Sequence, residues 1–387
     1  MTHSTPRGRV FALDNLRAAL VMLVILHQAA LVYSAFAPFY YVEPPFADPL
    51  ALLVLGLFAL VNQSWFMAAL FFIAGYFTPD SYDHKGPGRY LGGRLLRLGL
   101  PLLVGFFILE PVARLGLFLM PSASTGITAP PSLEAYPKMI GFGPLWFVAL
   151  LLVFSFFYAL WRQIVGGHAL PSYRHEPSRL QGIVFVLGLA LVAWLWRMLV
   201  PLGLEVSLWG DALSFPTLAY LPHYLALFVI GIMTRRNGWL PAPTPNAARF
   251  WFLASVLATL VLLPWALSGS FFQLTFSQGA EFTGSGTWQS GLYALWDSTM
   301  AFGLLVAALG LFEARINREG PVWKFFARQS YAAFLIHAVV VVFVAYGLHA
   351  LAWPALAKFA LLAAIVVPLS FGIAWVIRRI PGVGKVV

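Results

Sequence analysis

The sequence predicts an all-α, polytopic membrane protein of about ten transmembrane helices with both termini cytoplasmic. Three observations carry this. Of its 387 residues, 60% are hydrophobic and only 10% charged, against roughly 25% charged in soluble domains, and the mean hydropathy is +0.82. Apolar runs of about 20 residues, the length that crosses a hydrocarbon core as a helix, recur along the whole chain. Of the 24 Lys and Arg residues, 20 fall at alternate ends of those runs, and short loops rich in Lys and Arg stay on the cytoplasmic side.

The runs lie at about 13–36, 50–77, 98–119, 143–161, 180–200, 216–234, 249–268, 289–311, 331–350 and 357–378. Loops between them are short, so residues 1–387 are expected to form one integral membrane domain. The opposite loops carry acids instead: Glu43 and Asp48, Glu205 and Asp211, and Glu281. Two of them, about 120–142 and 269–288, are rich in Gly, Ser, Thr and Pro, and are expected either to line an entrance for a polar substrate or to serve as connectors. The small-x-small triplet at 35–37 is not expected to be a cleavage site, because the preceding apolar run is too long for a signal peptide and Pro38 would follow the cut. No inverted repeat of paired Gly- or Pro-broken spans is evident, which weighs against a secondary transporter.

Several chemistries are excluded at once. There is no cysteine, so no thiolate nucleophile or thiolate metal site exists. The eight histidines lack the close spacing of a metal-binding helix, and no metal site is expected. The net charge of +10 is spread over span ends and does not form one aromatic-interleaved patch, so nucleic acid is not an expected partner, whereas membrane lipids are.

The first span, FALDNLRAALVMLVILHQAALVYS, holds Asp14, Arg17 and His27. Asp14 and Arg17 are three apart and can pair on one helical face near the surface. His27 is ten residues beyond Arg17, about 15 Å deeper at the helical rise, which puts a titratable base inside the membrane. After the second span, Gly86-Pro87-Gly88 turn the chain and Arg94 and Arg97 follow on one face of the third. Two guanidiniums so placed suit a phosphorylated ligand through bidentate pairs, although anionic lipid would satisfy them too. Glu110 and Arg114, four apart, can form an intrahelical bridge. Trp146 stands where an aromatic belt would account for it. His223 lies beside Pro222 at the start of the sixth span, where it can meet substrate or cap freed carbonyls.

In the eighth span, LYALWDSTMAFGLL places Asp297 about two turns below the outer surface, where a carboxylate needs a partner. His223, His337 and a substrate hydroxyl are the candidates. In the ninth, His337 is seven residues past Ser330, on the same face, so a polar stripe points inward.

Taken in order, LDNLR with a following His, FFIAGYFTP, RLLRLGLPLL, LWF, LFVIGI, LWDS and SYAAFLIH resemble the acyltransferase-3 family of integral membrane acyltransferases, in particular its glucan succinyltransferase branch (glucan biosynthesis protein C-like). The likeness covers nearly the whole chain. It implies a ten-helix enzyme of the bacterial inner (plasma) membrane that moves an acyl group, of the acetyl or succinyl class, from acyl-CoA to a hydroxyl of an envelope carbohydrate. It also implies that Arg17 and His27 match the family's first-span basic residue and catalytic histidine, and that Arg94 and Arg97 match its paired arginines. The usual family spacing would put the histidine one residue later, where this chain has Gln28; if that register rules, His337 is the next base in line. Acyl-CoA is expected as co-substrate, with no permanently bound cofactor. His27 is the expected general base, since an imidazole titrates near working pH. Arg17, Arg94 and Arg97 would hold donor phosphates, and Asp297 with His337 would position the acceptor or complete the polar cavity. The alternative expectation, from a different class, is a transporter of a polar or acylated solute, because intramembrane His and Asp serve that use as well.

Overall fold

A computed structural model describes residues 11–34, 37, 39–43, 48–121, 125, 127, 130–166, 177–207, 214–215, 218–239, 243–269 and 281–387. Their helices are α1 (Phe11–Ser34), α2 (Pro49–Arg94), α3 (95–119), α4 (Trp146–Val165), α5 (Arg179–Arg197), α6 (Leu221–Asn237), α7 (Pro245–Ala266), α8 (Trp288–Ile316), α9 (Pro321–Gly347) and α10 (Ala355–Ile377). Among the described residues, the strands are a two-residue antiparallel pairing of β1 (Val206–Ser207) with β2 (Ser214–Phe215), between α5 and α6. Most of the 269–288 loop lies outside the described residues, as does part of 120–142.

The helices begin where the sequence supplies caps. Asp48 accepts hydrogen bonds from the Leu50 and Ala51 amides at 3.1 and 3.0 Å, with Pro49 in the first turn. Ser178 and Gln181 form a capping box at the start of α5. Thr244 caps α7 and Thr287 caps α8. Helix α9 starts ten residues before its apolar run at 331, because Gly320-Pro321 opens it and its first turns carry Lys324 and Arg328 at the basic end.

Nine helical stretches among the described residues are long and apolar enough to cross a membrane, and one of them, Pro49–Leu119, has 71 residues. At 1.5 Å per residue it would extend about 106 Å, over three times the hydrocarbon thickness. It breaks at Gly86, whose φ of 71° and ψ of 168° are not helical. Arg94 then donates to the Thr78 hydroxyl at 3.2 Å, and the Tyr82 and Tyr90 rings lie 5.4 Å apart. Such contacts require the chain to double back, so α2 and α3 are two crossings and the described helices make ten. The protein is therefore an all-α polytopic membrane protein.

Contacts between span ends sort them onto two faces. At the basic end Arg235 pairs with Asp80, Arg236 and Arg162 pair with Asp83, Asn15 donates to the Ile316 carbonyl, and Arg378 donates to the Arg328 carbonyl. At the other end Lys358 pairs with Glu43, and Glu110 meets both Arg114 (2.7 Å) and the Tyr40 hydroxyl (2.7 Å). Burial, and then the Glu110 carboxylate, push the Tyr40 phenol well above its usual range, which keeps it a donor. The expected Glu110–Arg114 and Asp14–Arg17 pairs are both present, the latter at 3.3 Å.

Helix α1 is the central post, touching α2, α8, α9 and α10. The α2–α6 crossing is tight for a reason visible in FFIAGYF and FVIGI. A Cβ on Gly75 would stand 2.1 Å from the Phe228 carbonyl oxygen, and one on Gly231 would stand 2.2 Å from that of Phe72. Only glycine permits this backbone approach. Gly75→Ala is expected to force α2 and α6 apart and destabilise the protein by about 1–3 kcal/mol, seen as a lower thermal midpoint in detergent; an unchanged midpoint would mean that the crossing gives way freely.

Helix α3 departs from regular α geometry, with π turns at Leu95–Gly99 and Gly105–Leu109. Pro101 and Pro111 lack the amide that the carbonyls of Arg97 and Phe107 would otherwise accept. Both orphaned carbonyls are satisfied by tyrosines: Tyr331 donates to Arg97 at 2.8 Å and Tyr136 to Phe107 at 2.7 Å. Hydrocarbon offers no water for such groups, so side chains from neighbours take its place.

Candidate active site

A cavity of about 360 Å³ opens among α1, α2, α3, α4 and α9. Its lining changes character with depth. Arg17, Lys85, Arg94 and Arg97 stand at the basic end, with Tyr90, Ser330 and Tyr331 beside them. Farther in, the wall is Val21, Leu70, Ile73, Phe147, Leu151 and Phe334. Lys85 and Leu70, both in the lining, lie fifteen residues apart on one stretch of α2, about 22 Å by helical rise.

The three arginines singled out in the sequence thus share one mouth. Arg94 lies 5.3 Å over the Tyr90 ring and is steadied by Thr78, while Arg17 bonds Asp14 and the Ala327 carbonyl. Lys85 and Tyr90 were not expected here. Gly86 turns Lys85 back toward α3, and that fold, more than its spacing in sequence, brings it in.

His27 and His337 are both buried, at 7% and 0% exposure. His27 lies tilted against Phe66, with ring centroids 5.1 Å apart, and Phe66 is one helical turn beyond Leu70 on α2. His337 is 5.5 Å from Phe334 in the same sense and one turn beyond it. The two imidazoles lie within electrostatic range of each other, so both stand about one turn past the cavity's inner end. His337 Nδ1 pairs with the Phe334 carbonyl at 2.6 Å. That hydrogen bond makes Nδ1 the donor and leaves Nε2 as the basic nitrogen. His337 Nε2, His27 Nδ1 and Gln28 Oε1 are buried polar atoms without a hydrogen-bond partner, a condition that native proteins tolerate rarely and often at functional sites.

Asp297 is elsewhere. Its carboxylate is fully buried and pairs with Arg197 of α5, while His223 Nε2 approaches it at 3.3 Å and the Ser298 hydroxyl at 2.9 Å. The rings of Tyr220 and Tyr293 lie 5.0 and 5.3 Å from the Arg197 guanidinium, and their hydroxyls are 3.2 Å apart. Of the partners expected for Asp297, His223 is present. His337 is not, so the expected single polar cavity holding Asp297 with His337 is corrected: Asp297 joins α5, α6 and α8, and His337 faces the space beyond the cavity. The reason is that an intramembrane carboxylate takes the nearest cation at its own depth, and Arg197 ends α5 at that level. Arg197 in VAWLWRMLV carried the same signal as Asp297, a lone charge in an apolar run, and matching the two depths would have found the pair. Trp146 is also corrected. It is 7% exposed and stacks on Tyr224 at 5.2 Å, not on lipid.

No functionally curated protein matches this chain. The acyltransferase-domain model of the acyltransferase-3 family matches residues 10–379, which takes in every helix from α1 to α10. The chain belongs to that family, and it is a membrane acyltransferase that transfers groups other than aminoacyl groups.

Proposed function

We propose that the protein is an O-acyltransferase that takes its acyl group from acyl-CoA at the basic face and passes it to a hydroxyl, of the envelope carbohydrate class that the family resemblance implies. The observation that supports this best is the cavity: cationic at the mouth, apolar farther in, and ending one turn short of two buried histidines. Phosphates at Arg17, Arg94 and Arg97 would leave the pantetheine arm running inward and the thioester at the inner end. The charge rule supports a cytoplasmic basic face, where acyl-CoA is made, and an inner (plasma) membrane is the location that goes with this reading.

His27 takes the proton of the acceptor hydroxyl as its oxygen attacks the thioester carbonyl. The C–O bond forms, the C–S bond breaks, and the departing thiolate takes the proton from the imidazolium. His337, held by Phe334, faces the same space and keeps the second nitrogen lone pair near the reacting centre. Asp297 serves at a distance, by fixing α8 to α5 and α6.

The donor site is tested by binding. Arg94→Ala and Arg97→Ala each remove a charge-assisted contact of about 1.5–3 kcal/mol, so coenzyme A is expected to bind roughly 10- to 100-fold more weakly. Arg97→Lys keeps the charge but loses the planar fork and should still weaken binding more than Leu96→Ala, on an exposed face of the same turn. Unchanged binding in both alanine variants would assign the arginines to anionic lipid.

A further inference from the structure

The donor reading leaves open which acyl group is transferred. We infer that the inner end of the cavity selects a short, uncharged acyl group and rejects one that ends in a carboxylate. This rests on the donor reading above. Every cation that lines the cavity is at its mouth. Arg17, the cation that lines the cavity from α1, is four residues and about 6 Å nearer the mouth than Val21. The inner wall is made of the side chains of Val21, Leu70, Ile73, Phe147, Leu151 and Phe334, without a donor among them.

The wall is also fixed. Phe334 meets Phe147 at 5.6 Å, and Phe147 in turn meets Phe71 at 4.6 Å, so linked aromatic rings line this end. Beyond it stand His27 and His337, and the imidazole that accepts the hydroxyl proton has to be neutral, so it offers a carboxylate no positive charge. A carboxylate held in apolar surroundings at membrane depth is strongly disfavoured, whereas a methyl or ethyl group gains by leaving water. The cavity therefore favours acetyl or propionyl over succinyl.

Equilibrium binding to the full-length protein in nanodiscs tests this with four probes: coenzyme A, acetyl-CoA, propionyl-CoA and succinyl-CoA. Acetyl- and propionyl-CoA are expected to bind at least as tightly as coenzyme A, and succinyl-CoA roughly 100-fold more weakly than acetyl-CoA. A gap below about tenfold overturns the inference. If all four bind equally, the donor site stands and the selectivity fails; if none binds, the donor reading itself fails and the inference falls with it. Leu151→Phe adds bulk to the inner wall without touching the mouth, so it should weaken propionyl-CoA more than coenzyme A. Equal effects on the two would show that the acyl group does not reach this wall.

Discussion

His27→Ala is expected to abolish measurable acyl transfer while leaving the protein folded and able to bind coenzyme A. Removal of a general base lowers the rate by a factor of roughly 100 to 10,000. Donor binding should survive because Arg17 lies about 15 Å back along α1, with Arg94 and Arg97 beside it at the cavity mouth. His27→Gln should not rescue transfer, since an amide cannot accept the proton. The comparison that decides between the two histidines is His337→Ala: loss of transfer there, with retention in His27→Ala, would move the base to α9. Gln28 supplies a further control. It is eleven residues past Arg17, about 20° off the same helical face, and its amide oxygen is buried without a partner. The double change His27→Ala with Gln28→His should restore activity only if that face reaches the thioester.

The second large effect is on stability. Arg197→Met leaves the Asp297 carboxylate buried and without its guanidinium, which is expected to destabilise the protein by about 3–5 kcal/mol. Asp297→Asn strands the guanidinium between Tyr220 and Tyr293 and should act in the same direction. Replacing both, as Arg197→Met with Asp297→Leu, should recover much of the loss, because a buried pair often does little better than apolar side chains of similar volume. Thermal unfolding in detergent reads all three. If Asp297→Asn instead melts like the wild type and loses only transfer, Asp297 positions the acceptor.

These two sites differ in how far the sequence discloses them. Asp14 with Arg17 and Glu110 with Arg114 are legible because three- and four-residue spacing on a helix fixes adjacency before any tertiary fold exists. The depth of His27 is legible for the same reason, and the turn at Gly86-Pro87-Gly88 announces itself by composition. Arg197 and Asp297 are 100 residues apart, and each reads as an isolated charge until α5 and α8 are placed side by side. The cavity is harder still, since five helices contribute to it and the inner end depends on Phe147 and Phe334 meeting across α4 and α9. Motifs such as FFIAGYF and FVIGI pointed to the family without disclosing their physical content, which is a crossing that admits no Cβ.

The tyrosine that answers Pro101 bears on how the protein is made. Tyr331 reaches the Arg97 carbonyl from a position 234 residues later in the chain, whereas Tyr136 reaches Phe107 from only 29 residues away. During synthesis the C-terminal half of α3 can therefore be completed almost as soon as it leaves the ribosome, while its N-terminal half waits for α9. The backbone that carries Arg97 is tied down only when the ninth span arrives, so the donor mouth is among the last parts of the molecule to set. A chain truncated before α9 should insert and yet bind no donor.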